Sequence, residues 1–379
     1  SGNGTLDLDG DFLLSANGTL SAPRGDLTIG GELWNFVSGS TFTHNNGRVV
    51  QNKNGGTSRF NNNNVGNTSV VFYDFRGENN TTKLYTGCTF ENGLTQSGST
   101  TSFMCNSVSS ASDAVWTFGT TTSSGHLNST VNARFQGNRN AESGEFTGKI
   151  KGVNSLFPAT ITTTGGTFDW DYEPAARDAG QGEIELENVN VVGALTTGGG
   201  GNGSVKITLT GDCEFDAVTV SSGDTLDLNG NLARFSGLLN ITPDNGLKNT
   251  TDGSTQAAST LIFCNGITYG GGTQHTSLSN VTLMAEGGSS QYHVQPFKFG
   301  RFVSIRAGNI DFGRYGPDLA TMDIIAANGG NLSNWGKSGS VSNANSMNNL
   351  TIATGTTAVP ESATLTVAGD FTTSGGLLG

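Results

Sequence analysis

Asp169-Trp170-Asp171-Tyr172-Glu173 is the stretch of this chain best equipped for chemistry. Glycoside hydrolysis needs two carboxyl groups, one kept protonated and one ionised, with aromatic rings to stack the sugar. On a strand, Asp169, Asp171 and Glu173 share one face, because successive side chains alternate. The same spacing keeps an exposed strand soluble and resistant to edge pairing. Glu183, Glu185 and Glu187 repeat it without aromatics, which favours the solubilising role. Carboxylates are also hard oxygen donors, so the one cofactor such a patch would hold is a structural calcium ion. The glycine run at 198–203 lacks the aspartates of a calcium β-roll. No catalytic or metal residue is therefore assigned, binding residues stay unassigned, and the chain is expected to be non-enzymatic and free of cofactors.

The other reactive side chains form no pattern. His44, His126, His275 and His293 are scattered without ligand spacing. No Gly-x-Ser-x-Gly elbow and no phosphate loop is present. Cys88, Cys105, Cys213 and Cys264 make no Cys-x-x-Cys pair, which argues against zinc, and they are too sparse for a disulfide scaffold. They are expected as thiols, mostly buried, with a Cys88–Cys105 bridge as the one alternative. Aromatics and positive charge gather only around Tyr292, Phe297, Phe299, Phe302 and Phe312 with Lys298, Arg301 and Arg306. That stretch reads either as a binding face for glycan or a neighbouring subunit, or more simply as a buried strand.

The elements that must carry these residues are strands. Only 13% of the 379 residues are charged, against about 25% in an average soluble domain. Asn, Ser and Thr must cover the surface, and the residues of long amphipathic helices are thin. A net charge of −12 repels phosphate backbones, so nucleic acid is not an expected partner. No apolar run is long enough to span a bilayer, so membrane insertion is not expected either.

Internal repetition points to the architecture. Thr5-Leu6-Asp7-Leu8-Asp9-Gly10-Asp11-Phe12 shares its frame with Thr225-Leu226-Asp227-Leu228-Asn229-Gly230-Asn231-Leu232 and with Thr364-Leu365-Thr366-Val367-Ala368-Gly369-Asp370-Phe371. Each is a short alternating strand followed by a Gly-Asp or Gly-Asn corner. A second unit, Leu186-Glu187-Asn188-Val189-Asn190-Val191, returns at 278–283 and 347–352, and more weakly at 215–220. The expected fold is all-β, a parallel β-solenoid with irregular coils of about 20–25 residues and loop insertions. Residues 1–185 would form its N-terminal part and 186–379 its C-terminal part. Tandem β-sandwich domains are the alternative, because Asn-Gly pairs such as Asn17-Gly18 and Asn46-Gly47 also suit hairpins. Phe135, Phe146, Phe157 and Phe168, spaced by 11 residues, would mark one wall of successive half-coils. Only 173–180 and 316–328 look briefly helical, and Leu319–Ile325 reads equally as a strand.

Leu20-Ser21-Ala22-Pro23-Arg24-Gly25-Asp26-Leu27-Thr28-Ile29-Gly30-Gly31, then Gly39-Ser40-Thr41-Phe42-Thr43 and Asn45-Asn46-Gly47-Arg48-Val49-Val50, resemble repeats in large structural proteins of marine tailed phages. Similar repeats occur in bacterial surface adhesins. Asn348-Asn349-Leu350-Thr351-Ile352 ahead of Gly369-Asp370-Phe371-Thr372 carries the same likeness. The resemblance implies a virion fibre, tail or capsid-associated part, and brings no catalytic motif with it. Its alternatives are a bacterial surface adhesin or surface-layer protein, and a polysaccharide-degrading tailspike. The location implied is the virion, the extracellular space or the cell surface. Expected partners are further copies of the chain, other structural subunits and cell-surface glycan. The chain opens on Ser1 and closes on Leu377-Leu378-Gly379 without a capping pattern, so it is expected to be an excerpt of something longer.

Overall fold

The computed structural model describes residues 3–55, 57–60, 70–78, 81–84, 87–97, 101–106, 114–129, 133–138, 147–162, 166–170, 181–197, 204–242, 246–249, 258–264, 267–269, 277–286, 292–293, 298–304, 309–311, 323–326, 331–333, 346–347, 349–352, 357–358, 366–374 and 377–378. The regular elements among them are all strands, and every ladder between strands is parallel. The chain divides into two units, Ser1–Cys213 and Glu214–Gly379.

In the first unit each coil lays its strands on the previous coil in three ladders, and the protein is a parallel β-solenoid. One inward column runs Leu6, Leu27, Val49, Phe75, Leu94, Leu127, Ile161 and Val191 in register. From Leu27 onward these residues are buried. A second column begins Phe12, Trp34, Phe60 and Leu84. The third carries Phe72, Phe90 and Phe118, then Ile150, Leu186 and Leu209 beside them. Stacking lets each backbone N–H and C=O pair with the coil above or below, while the apolar side chains fuse into one core. The second unit repeats the plan, with Ala233, Leu261, Leu283, Phe302, Ile324, Leu350 and Phe371 in register.

Two copies of the recurring second unit of the sequence, 186–191 and 215–220, form corners, of a kind also seen at residues 70–77. In strand Val70–Gly77, Phe72 and Phe75 are both buried with Tyr73 and Asp74 between them, so the inward alternation breaks and the chain swings to the next face. Phe215 and Val218 do the same in Cys213–Val220. Leu186 and Val189 do it around Asn188, whose φ of 54° is the left-handed conformation that Asn tolerates. The Asn-Gly pairs are corners too. Asn17, Asn46 and Asn229 have φ of 65°, 59° and 45°, and each joins strands of different ladders rather than two arms of a hairpin. That disposes of the sandwich alternative for the described residues.

Coil length varies more than the expected 20–25 residues, from 18 between Phe72 and Phe90 to 36 between Ile150 and Leu186. Phe135 and Phe168 do stack in register, but Phe157 sits in a turn and Phe146 lies outside the described residues. Asp323–Ala326 is a strand, so the helical option fails there, whereas 173–180 lies outside the described residues.

Cys88 and Cys213 are buried thiols, as expected. Burial raises both, Cys213 to about 12, and Cys88 likewise rises because desolvation disfavours its thiolate. A disulfide-exchange reagent is expected to leave both unmodified in the folded protein and to label them on unfolding. Half-exposed Cys264 should react before them, which a time course with peptide mapping will read.

Candidate functional site

Asp169 and Trp170 lie on strand Gly166–Trp170, in register with Gln136 and Gly137 one coil below. Asp171, Tyr172 and Glu173 lie outside the described residues. In the second aromatic stretch, Lys298–Ser304 is a strand, and Phe302 occupies the register position of buried Leu283. Phe297, Arg306 and Phe312 lie outside the described residues.

The Glu183–Glu185–Glu187 row has a plain structural role. Thr147, Lys149 and Lys151 sit directly beneath it in register, and Lys149 Nζ reaches Glu185 at 3.4 Å and Glu187 at 2.5 Å. Partial burial alone would lower the Lys149 ammonium, but its hydrogen bond to Glu187 and the charges of both glutamates raise it above its ordinary value. Other charges pair between coils in the same way. Arg48 meets Asp74 at 2.8 Å, and Arg234 meets Glu286 at 2.9 Å. His44 Nε2 lies 3.5 Å from Glu91 while its ring stacks on Tyr73. Half-exposed pairs of this kind contribute only about 0–1 kcal/mol each, so they chiefly neutralise the outer faces.

Glu32 binds both Lys53 and Arg59 of the next coil. The Lys53 hydrogen bond, then the charges of Lys53 and Arg59, hold its carboxyl below the ordinary value of 4.5. A lowered carboxylate pKa contributes stability that is present above 4.5 and is lost as pH falls through the lowered value. The Glu32→Gln variant is therefore expected to unfold at lower urea than the parent at neutral pH. The two midpoints should converge in acid, and a gap that persists there would show that Glu32 acts through something other than its charge.

An outcrop on one corner of the first unit has no signature in the sequence. Most coils turn this corner within a few residues, but two neighbouring coils insert longer turns, residues 119–125 and 153–158. Each is closed by an antiparallel bridge, Thr120 with Ser123 and Asn154 with Phe157. The base of the first is pinched by glycines. Gly119 has φ of 95°, and a Cβ on Gly125 would lie 2.2 Å from the Gly119 nitrogen. Its tip is tied by hydroxyls, with Thr120 Oγ1 2.8 Å from Ser123 Oγ. In the second turn Asn154 Oδ1 accepts the N–H groups of Leu156 and Phe157, both at 2.9 Å. Phe118, Leu127, Ala159 and Ile161 anchor both turns in the core. The tips carry hydroxyls and one apolar side chain, Leu156 at 82% exposure, and no charge.

A buried polar corner was missed as well. Asp227 occupies the outward position of the repeat that Asp7 also fills, yet Asp227 is fully buried while Asp7 is exposed. Its Oδ1 accepts the Asn229 N–H at 3.1 Å, and Asn249 Oδ1 accepts from Gly230 N–H and from the Ser259 hydroxyl. No group of three or more His, Cys, Asp or Glu side chains among the described residues is arranged to hold a metal ion. Comparison with protein-family models, curated proteins and solved structures finds no match to this chain.

Proposed function

We propose that this chain is a non-catalytic structural component of a virion, as fibre, tail or capsid-associated part, or of another extracellular assembly. One observation carries this reading. Ion pairs between coils, such as Arg48–Asp74, Lys149–Glu185 and Arg234–Glu286, hold charge on the scaffold, while the two most exposed large apolar side chains among the described residues, Leu13 and Leu156, stand out from it. An exposed apolar side chain on a rigid base is the usual anchor of a protein–protein contact.

Electron microscopy of the native source, with antibody against this chain as the label, tests the proposal. Label on virion fibres, tails or capsids is the expected result. Label confined to cell surfaces or shed filaments would replace the virion with an adhesin or surface-layer role. Release of reducing sugar ends from polysaccharide by the purified chain would overturn the non-catalytic part.

A further inference from the structure

Past Gly4, five Asn-Gly pairs lie wholly among the described residues: Asn17-Gly18, Asn46-Gly47, Asn54-Gly55, Asn92-Gly93 and Asn229-Gly230. An Asn followed by Gly is open to reaction with its own backbone. Glycine has no side chain to shield its nitrogen, and its freedom of rotation lets that nitrogen approach the preceding side-chain amide. The reaction therefore depends on whether the glycine nitrogen is held.

Four of these five glycines are held. Gly18 N–H donates to the Ser15 carbonyl and Gly47 N–H to the His44 carbonyl, both at 2.8 Å, which closes the turn in which each sits. Gly230 N–H donates to Asn249 Oδ1 at 3.0 Å. The asparagines before these three glycines are fixed in the left-handed region, with φ of 65°, 59° and 45°. Gly93 is buried inside strand Cys88–Gln96, in register with Asp74 on one side and His126 on the other.

Asn54-Gly55 differs in each respect. It lies in the corner between strands Arg48–Gln51 and Thr57–Phe60, and both residues are exposed. The left-handed conformation falls on Gly55, with φ of 79°, rather than on the asparagine. A Cβ on Gly55 would meet nothing within 4 Å. Among the described residues, neither Asn54 nor Gly55 takes part in a hydrogen bond.

We infer that Asn54 is a site of spontaneous deamidation and that the fold protects the other four asparagines. The Gly55 nitrogen attacks Asn54 Cγ and forms a carbon–nitrogen bond. The side-chain amide leaves as ammonia, taking up the proton that the nitrogen gives up. Water then opens the resulting five-membered imide at either carbonyl, giving aspartate or isoaspartate with no change in oxidation state. The product carries a new carboxylate one residue from Lys53, whose ammonium already holds Glu32 at 2.7 Å. Isoaspartate also adds one main-chain atom to the corner that joins Gln51 to Thr57. The reaction needs no partner, so it is independent of what the chain assembles with.

Ageing the purified chain in mildly alkaline buffer, with peptide mapping by mass spectrometry and enzymatic methyl labelling of isoaspartate, tests it. Asn54 is expected to convert about fivefold faster than the other four, the factor lost when a backbone hydrogen bond must break first. In guanidinium chloride the five rates should come together, because the fold no longer distinguishes them. Asn54→Gln should remove the early isoaspartate signal from this corner and leave the unfolding midpoint unchanged. Conversion of Asn17, Asn46, Asn92 or Asn229 as fast as Asn54 in the folded chain overturns the inference. A difference that persists in denaturant overturns it too, since local sequence and not the fold would then set the rates.

Discussion

Replacing Phe90 with alanine is expected to destabilise the first unit by about 3–5 kcal/mol, the range for truncating a fully buried aromatic. The ring lies between Phe72, at 5.7 Å between centroids, and Phe118, at 5.2 Å, with interplanar angles of 21° and 23°. It also meets Phe75 edge-on at 6.2 Å. Truncation removes contacts with the coils on both sides at once, and the cavity cannot collapse, because the strands above and below are fixed by their own ladders. Urea unfolding followed by circular dichroism and tryptophan fluorescence will read the loss as a lower midpoint for the first unit. Phe90→Leu, which keeps most of the volume, should recover a large part of it. A midpoint unchanged within error would mean that the aromatic stack does not hold these coils together.

Gly47→Ala is expected to cost about 3 kcal/mol, the upper end of what overpacking commonly costs. A Cβ on Gly47 would lie 2.1 Å from the Pro23 carbonyl oxygen and 2.9 Å from that of Gly25. Both are backbone atoms of the coil beneath, so no side chain can swing aside. The two corners would have to part, breaking the hydrogen bonds from Asn45 Nδ2 to the Ala22 carbonyl and the Ser21 hydroxyl. Gly10→Ala is the matched control, since the same methyl enters open space. Its midpoint should stay within about 0.5 kcal/mol of the parent, as for an ordinary surface change. Equal effects at both positions would indicate that the glycines matter through chain entropy rather than coil spacing.

Much of the fold was legible because a solenoid repeats a local rule. Alternation in Leu6-Asp7-Leu8 and Thr225-Leu226-Asp227 marked strands, and Asn-Gly or Gly-Asp marked corners. The type of corner was ambiguous, since Asn17-Gly18 serves a hairpin or a solenoid bend equally well until the strand partners are known. The site was less legible. Leu156 and the turns at 119–125 and 153–158 are short polar stretches among many, and only stacking puts them on neighbouring coils. The pairing of Lys149 with Glu185 and Glu187 spans more than thirty residues of sequence. It follows from register, which no local pattern specifies.

The sequence by itself determined the class of the protein: strands from alternation, tight corners from Asn and Gly, and a scaffold with few charges to direct chemistry. Only the tertiary structure decided which residue stacks on which. Equivalent positions in the repeat therefore have different fates, as Asp7 exposed and Asp227 buried, or Gly10 open and Gly31 pressed on its neighbour. The physical reason is that a strand's own residues set its faces, while burial and spacing are set by the coil above and the coil below.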